Sequence, residues 1–173
     1  MWAKGARRDG ASEEGNVLDL NRVDIELIAT ALADQADGEH QWLIDPTTGE
    51  LVIWTSDTGI DGHNPVELDD LDPHIIAIDP IPSYIWYQDM VDFADQISDP
   101  ATGERLSRAL EGSGAFGRFK NQIYQHPELI APWQTMRDTR ARLRAVGWLL
   151  DQQLIDPEAA QQYFESHRGP QLP

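Results

Sequence analysis

The residue pattern closest to a chemical motif is the glycine-rich segment Gly112–Gly117, with Arg118 and Lys120 directly after it. Its G-x-G-x-x-G spacing is that of dinucleotide-binding loops, in which amides at the start of a helix bind a pyrophosphate. Those loops follow a β-strand, whereas here a helix is predicted before Gly112. The glycines therefore indicate a helix end and a helix start, and anion binding at that start stays open.

Positive charge is concentrated in the stretch that contains this segment. Residues 105–144 hold eight basic and three acidic side chains, a net charge of +5, and four of the arginines fall within positions 137–144. A cationic stretch of this kind can bind an anionic ligand or an acidic partner. The predicted anion or partner site consists of Gly114, Arg118, Lys120, Arg137, Arg140 and Arg144.

Negative charge dominates the segment before it. Residues 23–104 contain nineteen Asp and Glu and no Lys or Arg, and the whole chain carries a formal net charge of −17. Such an excess repels DNA, RNA and anionic lipid from the molecule as a whole. It also leaves open a second interpretation of the cationic stretch, in which the arginines pair with the acidic segment of the same chain.

The sequence contains no recognisable catalytic set. The chain has no cysteine, which excludes disulfides, thiolate zinc ligands and cysteine nucleophiles. The five histidines, at positions 40, 63, 74, 126 and 167, show no metal-binding spacing, and Ser113 is not in a nucleophile-elbow context. We therefore predict no catalytic residue, no metal and no cofactor.

An acidic loop at residues 56–73 has one feature of a cation site, because carboxylates and glycines alternate near its start. In a calcium-binding EF-hand loop beginning at Asp57, the third position would need an oxygen ligand and the twelfth a glutamate. These positions are Gly59 and Leu68. The loop therefore favours a solvated charge run over a calcium site.

Hydrophobic periodicity predicts the elements that position these residues. Asn21 is the predicted N-cap of an amphipathic helix that ends near Gln35. Two β-favouring runs, Trp42–Ile44 and Leu51–Trp54, flank a DPTTG turn and so predict a hairpin. The apolar run His74–Ile78 predicts a third strand, which Pro80 and Pro82 would stop.

Helices are predicted for the rest of the chain. Ser83 and Ser113 are predicted to cap two of them, Pro132 to lie in the first turn of a long third helix, and a last helix is expected to start at Pro157. A further short helix is expected at about residues 103–111, and Phe116, Phe119 and Trp148 are predicted on buried helix faces. The predicted fold class is α+β, with a leading helix, a small antiparallel sheet made of the hairpin plus one strand, and a C-terminal cluster of four to five helices.

The length of 173 residues is typical of one domain. We predict a single α+β domain at residues 17–167, a flexible N-terminal arm at 1–16 and a flexible tail at 168–173. No apolar run approaches the roughly 18 residues of a membrane span. We therefore expect a cytoplasmic protein with no membrane association, and the sequence leaves its oligomeric state open.

The C-terminal half resembles the signature of a bacterial group, uncharacterised protein family 0158. Its members typically show a Gly-Ala-Phe-Arg-Arg-Phe-Lys block, then a Trp, an Arg-Asp pair and an Ala-x-x-Trp-Leu. The corresponding positions here are Gly114–Lys120, Trp133, Arg137 with Asp138, and Ala145 with Trp148 and Leu149.

Earlier parts of the chain are also similar to this family. They are the leading helix, a Leu-Ile-Asp-x-x-Thr-Gly-Glu hairpin at Leu43–Glu50 and the YQDMVDF helix, so the resemblance extends over about residues 18–155. One departure is Gly117, which stands where the family usually has the first of two arginines, and this weakens any role that needs both. The resemblance implies a shared fold and brings no reaction, because the family has no established function.

Three functions of different classes remain open. We favour a non-enzymatic binding or regulatory protein whose partner is another protein or an anionic ligand. The alternative is an enzyme or a binder of a phosphate-containing ligand or nucleic acid, which would use the helix start at Gly114 with Arg118 and Lys120. A third possibility is nucleic-acid mimicry by the acidic segment. The observation that separates them is whether Arg118, Lys120 and Arg137 are exposed together or buried against carboxylates.

We predict that the acidic loop at residues 56–73 binds no specific divalent cation, because its carboxylates are not spaced for a closed coordination shell. Isothermal titration calorimetry with calcium and with magnesium should give only weak, non-stoichiometric heats. Stoichiometric binding in the micromolar range would contradict the prediction.

Overall fold

The computed structural model describes residues 17–35 and 38–168. Its elements, in chain order, are α1 (Ile25–Ala33), β1 (Gln41–Ile44), β2 (Leu51–Trp54), a 3₁₀ turn (Leu68–Asp70), β3 (Ile76–Ile78), α2 (Ser83–Asp95), α3 (Pro100–Ala109), α4 (Ala115–Gln125), α5 (Pro127–Asp151) and α6 (Pro157–Ser166). This order confirms the predicted α+β class. The predicted arm at residues 1–16 and residues 169–173 of the predicted tail lie outside the described residues.

The described residues fall into two compact units. The first contains those up to position 80 together with 142–166, and the second contains 81–141 with 167 and 168. Helix α5 contributes its first fifteen residues to the second unit and its last ten to the first. The organisation into a single domain at residues 17–167 remains a prediction. In the described part of the chain, no helix has the length and apolar composition needed to cross a membrane.

The first unit contains the predicted sheet. Its three antiparallel strands have the order β2-β1-β3, and Leu43 of β1 lies opposite Val52 of β2 and Ala77 of β3. The buried carboxylate of Asp45 accepts a hydrogen bond from the amide of Thr47 at 2.7 Å, and Gly49 closes the turn with a φ of +76°. The hairpin is therefore confirmed, with the glycine in the left-handed conformation that this turn requires.

Helix α1 starts three residues later than predicted. Its N-cap is Asp24, whose carboxylate accepts a hydrogen bond from the amide of Leu27 at 2.9 Å. Asn21, the predicted N-cap, instead lies in a turn in which its own amide donates to the carboxylate of Asp19. The local hydrogen bond to Asp19 holds residues 20–22 outside the helix, because an Asp side chain competes for nearby amides.

The helix starts of the second unit also differ from the predictions in part. Helix α3 begins at Pro100, where Asp99 accepts from the amide of Thr102, and α4 is capped by Gly114 rather than Ser113. Helix α5 begins at Pro127, so the predicted start at Pro132 is wrong and this proline lies inside the helix. Both prolines can stand at a first helical position, and the sequence alone does not choose between them.

The core of the second unit is built around three aromatic rings. Phe119 of α4 lies 6.3 Å from Phe93 of α2 and 4.9 Å from Trp133 of α5, and Phe93 lies 5.3 Å from Trp133, each distance joining ring centroids. All three pairs have edge-to-face geometry, which aromatic quadrupoles favour. The three rings therefore join α2, α4 and α5 at one point.

Two of the three predicted aromatic core positions need correction or refinement. Phe119 is fully buried as predicted, but Phe116 is 49% exposed, so its assignment to the core is wrong. The buried face of α4 is formed by Ala115, Phe119 and Ile123, at four-residue spacing, and Phe116 falls one position outside that stripe. Trp148 is only partly buried.

Replacement of Phe119 by Ala should therefore lower the free energy of unfolding by about 3–5 kcal/mol, since it removes a ring from the centre of the cluster. Replacement of Phe116 by Ala should lower it by at most about 1 kcal/mol, because half of that ring is already in water. Urea denaturation of both variants measures the difference. Equal losses of stability would contradict this assignment of the two faces.

Candidate functional site

A groove of about 270 Å³ lies on the second unit, lined by residues of α2, α4 and α5. Its floor is apolar, because the lining includes the core residues Phe119, Ile123 and Met90 and the partly buried Trp133. Concave sites with an apolar floor and a few polar groups at the edge are typical of ligand and partner binding. The groove is therefore the candidate site.

One exposed stripe of α4 forms a side of the groove. Phe116, Lys120 and Tyr124 follow one another at four-residue spacing, which places them on the same helix face. Phe116 is 49% and Tyr124 is 59% exposed, and Nζ of Lys120 lies 5.9 Å from the centre of the Tyr124 ring. This stripe therefore presents two large aromatic surfaces and a cation that lies over one of them.

A second cation, Arg137 of α5, also lines the groove. Its Nε and Nη2 atoms both donate to Oδ1 of Asp138 at 3.0 Å, and the side chain is half exposed. Among the described residues, Nη1 of Arg137 has no hydrogen-bond acceptor. One nitrogen of the guanidinium group is thus available to an incoming anion, although the neighbouring carboxylate offsets part of its charge.

The predicted residue Arg118 has a different local role. Its guanidinium group donates to the carbonyl oxygens of Ala109, at 3.0 Å, of Glu111 and of Ser113. The last carbonyl oxygens of a helix have no hydrogen-bond donor within the helix. Here the Arg118 side chain, which belongs to the next helix, donates the hydrogen bonds. Arg118 therefore links the end of α3 to the start of α4.

Gly114 belongs to the same arrangement. Its φ of +77° is the left-handed conformation, and a Cβ at this position would lie 3.2 Å from Nη1 of Arg118. A larger residue here would combine backbone strain with crowding of the guanidinium group. The glycine therefore permits the tight connection between the two helices that Arg118 closes.

Arg140 pairs with the acidic segment of the chain. Its Nη1 donates to Oδ1 of Asp89 at 2.8 Å and to Oδ2 of Asp92 at 2.7 Å, and the side chain of Asp89 is only 1% exposed. Burial by itself would lower the pKa of Arg140, but the hydrogen bonds to the two carboxylates raise it above its ordinary value. This contact agrees with the second interpretation of the cationic stretch.

The groove therefore unites two of the six predicted site residues, Lys120 and Arg137. Arg144 belongs to the first unit, where its neighbour Arg142 donates from Nε to the carboxylate of Glu26. Sequence reasoning did not place Phe116 and Tyr124 at the site. Their four-residue spacing on either side of Lys120 was a usable signal, since it assigns all three to one helix face.

A second concave region lies in the first unit and was also missed. Its volume is about 250 Å³, and within it Oδ2 of Asp34 accepts from Nε2 of His40 at 2.6 Å and from Nε1 of Trp42 at 2.8 Å. A carboxylate that orients a histidine occurs in general acid–base sites. The described lining of this region, however, contains no Ser, Thr, Lys or Tyr that could act as a nucleophile. The network connects the end of α1 to the sheet.

One carboxylate of the acidic loop is hydrogen-bonded within the loop itself. Asp61 accepts hydrogen bonds from the side chain and amide of Asn64 and from the amide of His63, and these bonds lower its pKa to about 2. Over residues 17–35 and 38–168, no group of three or more His, Asp or Glu side chains is placed to hold a metal ion.

Comparison with known proteins gives a consistent assignment. The model of the uncharacterised protein family UPF0158 matches residues 18–168. The UPF0158 protein PA5073 of Pseudomonas aeruginosa is 27% identical over 139 residues, which cover 80% of this chain and 88% of that protein. No solved structure gives a significant match.

The two arginine contacts described above should differ in their effect on stability. Replacement of Arg140 by Ala removes the guanidinium group that donates to the buried carboxylate of Asp89 and should cost on the order of 3 kcal/mol. Replacement of Arg137 by Ala breaks a half-exposed pair and should cost less than about 1 kcal/mol. Urea melts of the two variants check this, and a larger loss for Arg137 would contradict it.

Proposed function

The chain belongs to the uncharacterised protein family UPF0158, whose name carries no activity, and we propose from its own groove that it is a non-enzymatic binding protein. Its partner would be an acidic segment of a protein that inserts an apolar side chain between α4 and α5. The observation that carries this proposal is the pairing of two exposed aromatic rings with two cations around one apolar floor.

The groove is small. Its volume of about 270 Å³ is close to the lower end of the roughly 300–1,000 Å³ that is typical of pockets for small molecules and cofactors. A groove of this size suits one or two apolar side chains. Short amphipathic segments bind in this way, with a few apolar anchors in a hydrophobic groove.

The charge of the site favours an acidic partner. Lys120 and Arg137 stand at the groove on a chain whose net charge is −17, so they form a local exception to a field that otherwise repels anions. Exposed Phe116 and Tyr124 supply the kind of aromatic surface that dominates binding energy at protein interfaces. Both features support recognition of apolar anchors flanked by carboxylates.

The alternative function, binding of a phosphate-containing ligand or a nucleic acid at the start of α4, has less support from the geometry. The guanidinium group of Arg118 is used by three backbone carbonyls, which removes the strongest cation expected at Gly114. Stacking of bases on Phe116 and Tyr124 with Lys120 between them would resemble single-strand binding. The net charge of −17 opposes a nucleic acid more than a short acidic segment, because a nucleic acid carries a negative charge at every phosphate along its length.

The test is a fluorescence anisotropy titration with a labelled helical peptide of roughly 14 residues, in which leucines lie on one face and glutamates on the other. The parent protein should bind this peptide and should not bind the same peptide with lysines in place of the glutamates. Combined replacement of Lys120 and Arg137 by Ala should weaken binding about 10-fold, and so should Phe116→Ala, since anchors of this type contribute about 1.4 kcal/mol or more.

Two matched controls should leave the affinity unchanged. Tyr84→Ala removes an exposed aromatic ring of α2 that does not line the groove, and Arg105→Ala removes an exposed cation of α3. Binding that is equally weakened by the controls, or absent in the parent, would overturn the proposal. Retention of a labelled single-stranded oligonucleotide, lost on replacement of Lys120, would replace it by the nucleic-acid alternative.

A further inference from the structure

We propose that a partner of this groove is a second copy of the same chain, whose acidic turn at residues 67–70 inserts into it. This inference rests on the proposed function, because it names the occupant of the same site. It is carried by a segment of the first unit that has the chemistry expected of an occupant, namely an exposed apolar side chain with acidic residues on both sides in the sequence.

That segment is the 3₁₀ turn Leu68–Asp70 with the residue before it, Glu67. Leu68 is 38% exposed, and its three neighbours in the turn, Glu67, Asp69 and Asp70, are exposed acids. Within four consecutive residues the turn therefore presents one apolar anchor and three negative charges. Its backbone is held by hydrogen bonds from the amide of Asp70 to the carbonyl of Glu67 and from Leu71 to Leu68, so the anchor is presented by an ordered turn.

Among the exposed large aliphatic and aromatic side chains in the described part of the chain, Leu68 is the one with this setting. The exposed large apolar side chains there are Val17, Ile53, Leu68, Tyr84, Phe116 and Tyr124. Phe116 and Tyr124 form the groove itself. Of the remaining four, Leu68 alone has an acidic residue on both sides in the sequence, whereas Ile53 lies between Val52 and Trp54.

The two surfaces are complementary in charge and in apolar character. The turn offers a leucine that is 38% exposed, and the groove offers a concave apolar floor that includes Phe119 and Trp133. The carboxylates beside the leucine would meet Nζ of Lys120 and the available Nη1 of Arg137. Charge-assisted hydrogen bonds of this kind are shorter and stronger than neutral ones.

The net charge of −17 limits this association without preventing it. Two such molecules repel each other, but at physiological ionic strength the repulsion is screened beyond about 8 Å, while directly paired groups are closer than that. The expected association is therefore weak. Each copy carries one groove and one turn, so the contact is either reciprocal within a closed dimer or repeated from copy to copy.

The experiment is analytical ultracentrifugation of the full chain over a concentration series at physiological ionic strength. The weight-average mass of the parent should rise with concentration. Leu68→Ser, Lys120→Glu and the double variant Glu67→Lys with Asp70→Lys should each lower the association constant by about 10-fold or more. An equimolar mixture of Lys120→Glu with the Glu67→Lys and Asp70→Lys variant should recover association, since the charges are then exchanged across the contact.

Matched controls separate this contact from general changes in surface character. Ile53→Ser replaces an apolar residue that is 41% exposed in the same unit, and Arg105→Glu reverses an exposed cation outside the groove; both should associate as the parent does. Thermal melts establish that each variant is folded. If a variant does not fold, the parent is used with an unlabelled synthetic peptide of residues 64–73, which should displace the labelled acidic peptide from the groove.

The outcomes are distinct. If the parent is monomeric throughout, and the peptide of residues 64–73 does not compete while the labelled acidic peptide still binds, the proposed function stands and this inference fails. If the parent associates but the Leu68 and Lys120 variants associate equally well, another surface is responsible and the inference also fails. If neither the labelled peptide nor a second copy binds, both proposals fall together.

Discussion

The contact among Phe93, Phe119 and Trp133 is the interaction on which the second unit depends. Each ring comes from a different helix, so the same three edge-to-face contacts fix the positions of α2, α4 and α5. Phe119 and Trp133 also line the groove. A single aromatic cluster therefore stabilises the helices and supplies the apolar surface of the candidate site, which is why α4 can leave Phe116 and Tyr124 exposed beside it.

Some cations of the cationic stretch are used within the fold, and others line the groove. Arg118 closes the connection between α3 and α4 through backbone carbonyls, and Arg140 neutralises the buried carboxylate of Asp89. Removal of the cation from a buried carboxylate costs free energy of folding, so Arg140 cannot leave Asp89 to bind a ligand without loss of stability. Lys120 and the available nitrogen of Arg137 remain at the groove. The stretch has a net charge of +5 in the sequence, but it contributes two cations to the lining of the groove.

Much of the local structure could be predicted from the sequence. The hairpin followed from two β-favouring runs around a turn with a glycine, and Gly49 has the positive φ, +76°, that glycine readily adopts. The order of elements followed from apolar periodicity. Helix starts were less certain, since Asp19, Asp24 and Asn21 can each accept an amide hydrogen bond, and Pro127 and Pro132 can each begin a helix. Small differences in free energy decide which of these residues begins the helix, and the order of residue types in the sequence does not give those differences.

The sequence by itself determined the α+β class, the family, the separation of acidic and basic residues, and the absence of cysteine chemistry, because each depends on composition or on short-range spacing. The tertiary structure decided which cations pair with carboxylates and which face of α4 is buried. Asp89 and Arg140 are separated by 51 positions, so no short-range pattern pairs them. Phe116 and Phe119 are both suited to a core, and only packing against α2 and α5 selects Phe119, since burial is a property of the neighbours a residue meets in space.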